Sequence, residues 1–141
     1  MPTQNPDAVI CDIDGTLALH VDRSPFDWSR VIEDRPNMPV IELVQLLGAS
    51  GIAILYTSGR DEICRHDTAL WLADHVGVEG PLFMRSRNDN RKDRVVKYEL
   101  FEQHIKNFYN VKFVLDDRDQ VVDLWRNDLK LPCFQVAYGD F

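Results

Sequence analysis

A chain of 141 residues, 45% hydrophobic and 28% charged, has the size and balance of one globular domain of about 100–150 residues. It is long enough to bury roughly two-thirds of its unfolded surface without disulfide or metal staples. A net charge of −7 is the wrong sign for gripping a long nucleic-acid duplex by its phosphates, and no run approaches the roughly 20 apolar residues that span a bilayer.

Met1 to Asp7 has neither a basic region nor an apolar core, so it reads as a loose lead-in rather than a secretory signal. Ala8-Val9-Ile10-Cys11 follows as a short buried strand that stops at Asp12–Asp14. Residues 18–38, of mixed polarity with Pro25 and Pro36, are expected to be a loop with little regular structure. Pro39 opens an amphipathic helix carried by Val40, Ile41, Val44 and Leu47 and closed near Gly51. Residues 52–56 make a second buried strand, residues 68–75 a helix ended by Gly77, and residues 82–84 a third strand before the polar loop 85–90. A long helix is expected from Asp93 to about Tyr109, with Val96, Leu100, Phe101, Ile105 and Phe108 on one face. Residues 111–115 form a fourth strand ending in Asp116-Asp117, residues 120–127 a helix and residues 133–137 a last strand. This alternation predicts an α/β domain, a mainly parallel sheet with helices on both faces, spanning residues 1–141 as one unit. The three cysteines, Cys11, Cys64 and Cys133, are odd in number and widely spaced, and read as reduced, packed thiols of a cytoplasmic protein.

Ligands of such sheets bind at the carboxyl ends of the strands, and three strands end there in reactive groups. Asp12 and Asp14, two apart, leave the first strand pointing roughly the same way, while Gly15 lets the chain turn at once and Thr16 follows. Two such carboxylates repel unless a divalent cation lies between them and a phosphate, and Mg²⁺ prefers one or two carboxylates with phosphate and water. Asp12 is then the nucleophile that attacks phosphorus. Asp14 protonates the leaving alkoxide and later deprotonates the attacking water. Asp116 and Asp117 complete the metal shell, Asp116 as the first choice for direct ligand, although alone they read equally well as a helix cap.

Ser58-Gly59-Arg60 offers a hydroxyl, backbone N–H groups and a guanidinium fork to phosphate oxygens, with Thr57 a competitor for the hydroxyl role; alone it is also a common turn. Asp93 and Lys97, four apart on one helix face, place an ammonium near phosphate charge or form a solvent ion pair worth roughly 0.3–0.5 kcal/mol. Arg85, Arg87, Arg91, Lys92 and Arg94 are the one basic cluster, either a contact for an anionic substrate or a solvated face. His20, His66, His75 and His104 lack zinc-ligand spacing, and Trp71 and Trp125 fall on helix faces that belong to the core.

The order Asp12-x-Asp14-Gly15-Thr16, Ser58, Lys97, Asp116-Asp117 resembles the haloacid dehalogenase (HAD) superfamily of phosphotransferases. More closely it resembles the 3′-phosphatase domain of the bacteriophage polynucleotide kinase-phosphatase. Residues 9–16, 23–27, 58–60, 91–97, 115–118, 120–122 and the tail 135–141 carry the resemblance almost end to end. It implies a Rossmann-like, HAD-type sheet, Asp12 as nucleophile and Asp14 as general acid-base, with Asp116 and Asp117 serving Mg²⁺. It gives Ser58 and Lys97 to the phosphate and marks Arg23, Arg60 and Asp93 as residues the family depends on. Two departures stand out. The chain has no Gly-rich Lys-Ser/Thr phosphate loop, so it should phosphorylate nothing, and Arg94 replaces a second acid of the family motif. The interval between Thr16 and Pro39 holds no large cap domain, which implies an open site.

The leading expectation is thus a stand-alone phosphatase that removes 3′-phosphate, with 2′,3′-cyclic phosphate as a further candidate, from nucleic-acid ends. The competing reading is a phosphatase of small phosphoesters such as nucleoside monophosphates. A silent nucleic-acid-binding or scaffold domain has no need for the full carboxylate set. The sequence leaves open DNA against RNA, the oligomeric state, and whether a separate kinase or ligase works alongside.

Overall fold

Apolar runs too short for helices become strands here, and the amphipathic stretches between them become the helices that cover the sheet. The computed structural model describes residues 4–141. Its elements are β1 (Asp7–Cys11), β2 (Ala18–Leu19), β3 (Arg35–Pro36), α1 (Met38–Ala49), β4 (Ala53–Asp61), α2 (Arg65–His75), β5 (Leu82–Arg85), α3 (Asp93–His104), β6 (Asn110–Asp116), α4 (Asp119–Asp123) and β7 (Cys133–Gln135). Five strands form one parallel sheet in the order β5-β4-β1-β6-β7. The chain winds outward from β1 through β4 to β5 and then crosses to the other side for β6 and β7. That reversal puts the topological switch point between β1 and β6, where open α/β sheets bind ligands.

Alternation along β1 builds the two cores. Val9 and Cys11 face α1 and α2 with Ile41, Val44, Trp71 and Leu72. Ala8 and Ile10 face the opposite layer with Phe101, Ile105, Val114, Val121 and Trp125. Trp71 and Trp125 are fully buried, as their helix faces predict. All three cysteines are buried and unpaired, and burial pushes their thiols upward, that of Cys133 to about 12 with Asp116 adding to the effect. No helix among the described residues is long and apolar enough to cross a membrane.

Several boundaries differ from the sequence expectation. Residues 18–38 are more regular than a loop: β2 and β3 pair antiparallel through Ala18–Pro36 and Leu19–Arg35, and a 3₁₀ turn spans Trp28–Glu33. Strands of two residues have no periodicity to detect, and the turn is anchored by one buried side chain, Val31. β4 runs on to Asp61, so Ser58-Gly59-Arg60 lies inside the strand rather than after it, where a register shift against β5 reaches Arg85. The helix expected from 68 starts at Arg65. α3 stops at His104, because the Ile105 and Lys106 N–H groups both turn back to the Phe101 carbonyl, and Phe108 leaves the apolar face and is exposed. The helix of residues 120–127 is the short α4 followed by a π turn at Leu124–Asp128, and β7 ends at Gln135.

Trp125 ties that π turn to the sheet, filling the second core while its Nε1–H donates to Asp116 Oδ2 at 3.1 Å. Trp125→Ala is expected to cost about 3–5 kcal/mol, read as the loss of unfolding free energy in urea. A loss below about 1 kcal/mol would mean that this layer is not packed against β6 in solution.

Candidate active site

Asp12 leaves the end of β1 with its backbone still hydrogen-bonded to Leu115 of β6. The chain then reverses over Gly15, whose φ is +83°, and the N–H groups of Thr16, Leu17 and Ala18 all converge on the Ile13 carbonyl. A Cβ at Gly15 would lie 2.1 Å from Asp117 Oδ2, so glycine alone lets this loop approach the end of β6. Both oxygens of Asp12 are held: Oδ1 accepts from Lys97 Nζ at 2.7 Å and Oδ2 from Thr16 Oγ1 at 2.9 Å.

Lys97 reaches in from α3 and is buried. Its ammonium also donates to Asp116 Oδ2 at 3.0 Å. The solvent ion pair with Asp93 does not form; Asp93 instead accepts from Arg85 and, at 2.7 Å, from Arg118. Gly59 makes room for it, since a Cβ there would sit 2.5 Å from Asp93 Oδ1. Asp116 Oδ1 is fixed by the N–H groups of Asp117 and Arg118. Asp117 has the weakest restraint, a 3.4 Å contact from Thr16 Oγ1.

Asp12, Asp116 and Asp117 are all buried and each offers one oxygen to a group whose atoms lie within 4.8 Å of one another. Three carboxylates thus face one ammonium. Burial raises the Asp12 carboxyl well above the usual carboxylate range and Asp116 adds to this, with Lys97 opposing. Burial also raises Asp117. For Lys97 burial works against the charge, yet Asp116 and Asp12 outweigh it and the ammonium is held more firmly than in water. Hard, closely set oxygen donors with too little positive charge fit a divalent cation such as Mg²⁺.

Asp14 belongs to a different cluster. Its carboxylate does not join the Asp12, Asp116 and Asp117 group but lies with His20 and Asp34. It accepts from His20 Nε2 at 2.7 Å and from Arg60 through both Nε and Nη2, with Arg23 Nη2 at 3.4 Å. Burial alone would raise its carboxyl, but the His20 hydrogen bond and the Arg60 charge reverse the sign and hold it well below the usual range. Behind it the buried Asp34 accepts from Arg23 Nε at 2.7 Å and Nη2 at 2.9 Å and from Arg60 Nη2 at 2.8 Å.

A cleft of about 1030 Å³ opens over these groups, slightly above the usual range of small-ligand sites. Asp12, Asp14, Gly59, Arg60, Asp93, Lys97, Asp116 and Asp117 all line it. Ser58 and Arg23 do not reach its surface. Ser58 is fully buried within β4, its Oγ accepting the Arg60 N–H, and the Arg23 side chain is turned onto Asp34. Arg60 lines the cleft, but its guanidinium is engaged by Asp14, Asp34 and Thr68 rather than presented as a fork to phosphate. Of the basic cluster, Arg85 pairs with Asp93, Arg91 with Asp89 and Glu99, and Arg94 with Asp123 and Asp128.

Sequence reasoning missed His20, dismissed for lack of zinc spacing, and Asp34, one acid in an irregular segment. Neither carries a periodic or motif signal, because each is defined only by the arginines and the carboxylate that the fold brings to it. Thr16 was visible as part of the motif, but its bond to Asp12 was not.

Comparison with known proteins agrees with this geometry. Residues 6–141 match the family described as the polynucleotide kinase PNKP phosphatase domain. A putative bifunctional polynucleotide kinase/RNA ligase of Autographa californica nuclear polyhedrosis virus is 42% identical over 130 residues, covering 90% of this chain and 19% of that protein. Chains from two structures of the Pnkp1/Rnl/Hen1 RNA repair complex superpose with a TM-score of 0.94 at 45% identity, covering 99% of this chain and 49% and 45% of theirs. The chain therefore spans about a fifth of the viral relative and about half of the repair-complex chains. The class C acid phosphatase of Bacillus anthracis, at 18% identity and TM-score 0.60 over 82% of this chain and 53% of its own, shares the fold. The chain belongs to the PNKP phosphatase-domain family, a branch of the HAD-type phosphatases.

Proposed function

We propose that this domain removes 3′-phosphate from polynucleotide ends through an aspartyl-phosphate on Asp12. The observation that carries the reading is the fixed position of Asp12 at the floor of the cleft, one oxygen held by Lys97 and the other by Thr16. An Asp12 oxygen forms the new bond to phosphorus as the bond to the substrate oxygen breaks, and the departing alkoxide takes a proton from Asp14. A water then attacks the same phosphorus and gives its proton to Asp14, the bond to Asp12 breaks, and inorganic phosphate leaves. Asp14 is held ionised before substrate arrives; a phosphate dianion beside it raises its affinity for a proton by like charge, which loads it for the first step. Lys97 has three N–H donors, two of them on Asp12 and Asp116, leaving one for a phosphate oxygen. Mg²⁺ held by Asp12, Asp116 and Asp117 would neutralise the carboxylates and polarise the phosphoryl oxygens. Arg60 and Arg23 orient Asp14 directly and are themselves held by Asp34, Gly59 supplies a close backbone approach, and Asp93 anchors Arg85 and Arg118 at the rim.

The names of the relatives support an end-repair setting, in which a kinase or ligase processes the ends that this domain clears. A specific observation keeps small phosphoesters as the second reading: three of the five clustered basic residues already sit on carboxylates, so the domain has little charge with which to hold a long polymer. The deciding experiment compares a 3′-phosphorylated oligonucleotide, a 5′-phosphorylated one, a 3′-nucleotide and a 5′-nucleotide, each with and without Mg²⁺. Preference for the 3′-phosphorylated oligonucleotide is expected, and equal or better turnover of mononucleotides would favour the second reading.

Asp12→Asn should abolish turnover while circular dichroism shows the fold intact, because an amide does not attack phosphorus. Asp14→Asn should lower kcat by about 100- to 10,000-fold, with a smaller loss on aryl phosphates whose leaving group needs no proton. Full activity of purified Asp12→Asn protein would rule out the aspartyl-phosphate.

Chelation should silence the enzyme and Mg²⁺ restore it, and Asp116→Asn should raise the Mg²⁺ concentration needed for half-maximal rate. Activity that survives exhaustive chelation would refute the metal assignment.

Each phosphate neutralised contributes a log–log salt slope of about −0.9 on duplex DNA and about −0.7 on single strands. With the arginines that line the cleft paired to carboxylates, the domain should show a slope of magnitude below about 2 in kcat/KM, with little gain from lengthening the oligonucleotide. A steep slope that grows with length would reveal a basic track.

A further inference from the structure

Phe26 is 81% exposed, yet it lines the same cleft as Asp12 and Lys97. Its ring stands edge-to-face on Trp28, centroids 6.4 Å apart at 87°. Trp28 is itself partly buried against Val31, Cys64 and Met84, so it buttresses Phe26 from below. The loop that displays the ring is pinned at both ends. Arg23, locked on Asp34, donates from Nη1 to the Ser24 and Asp27 carbonyls; the Phe26 N–H donates to Ser24 Oγ; and Asp27 caps the 3₁₀ turn through the Ser29 N–H. A large aromatic face held out by a rigid loop at the mouth of a catalytic cleft costs hydrophobic exposure in the free protein and is preorganised for a flat ligand.

Resting on the polynucleotide reading above, we infer that Phe26 is a stacking platform for the nucleobase of the nucleotide that carries the scissile phosphate. Single-strand binding sites combine a cationic groove with aromatic stacking. Here Arg85, Arg91 and Arg94 are each paired with carboxylates, so stacking is the larger remaining source of grip. The cleft, at about 1030 Å³, has room beyond a phosphate group. Any base presents a π face, so the platform selects for a base without selecting which one.

The test measures kcat/KM on three substrates: a 3′-phosphorylated trinucleotide, the same trinucleotide with its 3′-terminal residue abasic, and a simple alkyl phosphate. Wild-type protein should prefer the base-bearing end to the abasic one by about 5- to 150-fold. Phe26→Ala should remove most of that preference, chiefly through KM, and leave the abasic and alkyl substrates unchanged, while Phe26→Tyr retains it. Phe26→Ala losing equally on all three substrates would make the ring a prop for the loop around Asp14, and a wild-type enzyme indifferent to the base would leave the platform without a role; either result overturns the inference while the polynucleotide reading stands. If neither trinucleotide is hydrolysed and the alkyl phosphate is, the polynucleotide reading falls and the platform with it.

Discussion

One ammonium holds the chemistry together. Lys97 projects from α3 into the gap between the ends of β1 and β6 and there bridges Asp12 and Asp116. Carboxylates at adjacent strand ends repel across a gap that burial makes low in dielectric, and an unpaired buried charge there would cost several kcal/mol. Removing the lysine would leave Asp12 and Asp116 buried without the cation that both now share. The resting site remains short of positive charge even with Lys97 in place, since Asp117 has little to hold it. An incomplete balance of this kind makes the site receptive to a cation, and then to a phosphate beside it.

A second charged layer does different work. Arg60 and Arg23 converge on Asp34, and through Arg60 the layer also takes hold of Asp14. Its partners come from β4 and from the segment between β2 and β3, so the network fastens the irregular 18–38 insert onto the sheet. Among the described residues no buried side-chain nitrogen or oxygen lacks a hydrogen-bond partner. Such networks are weak as sources of net stability but strong as sources of unique geometry, provided every member is satisfied. The outcome is that the acid-base candidate sits in an arginine-rich setting and the nucleophile candidate in an acid-rich one, and their proton affinities shift in opposite directions.

How much of this was legible in the sequence follows from what each feature depends on. The alternating sheet, the strand ends at Asp12 and Asp116, and the burial of Trp71 and Trp125 are consequences of local periodicity, which the chain carries plainly. Lys97 was visible only as one of two readings, because four-residue spacing to Asp93 describes a solvent pair as well as it describes a residue aimed at the sheet. Arg23 was recognised by resemblance and Arg60 first as a phosphate fork after Ser58-Gly59, and neither reading supplied their direction: Arg60 is turned toward Asp14 and Arg23 toward Asp34 by partners 46 and 11 residues away in the chain. Asp34 and His20 were illegible for the same reason. A residue whose role is set by tertiary partners leaves no period behind it. Where β4 ends was equally hidden, since Ser58, Gly59 and Arg60 are poor strand formers, and the strand resumes pairing with β5 only at Asp61, beyond a register shift.

The use of arginine ties the site to its substrate class. Arg23, Arg60, Arg85, Arg91, Arg94 and Arg118 all end on carboxylates of the same chain. An acidic domain that neutralises its own cations presents a weak field to a polyanion at long range, so encounter with a nucleic acid is neither steered strongly nor prolonged by non-specific contacts. For an enzyme proposed to act on termini this has a physical advantage, because binding along the interior of a strand would sequester it far from the end. On the proposed reading, affinity is concentrated where the reacting phosphate meets Lys97, the carboxylates and the aromatic rim. The relatives are longer proteins or members of a repair complex. A phosphatase unit with little grip of its own gains most from such an arrangement, since tethering supplies by effective concentration what its surface charge does not.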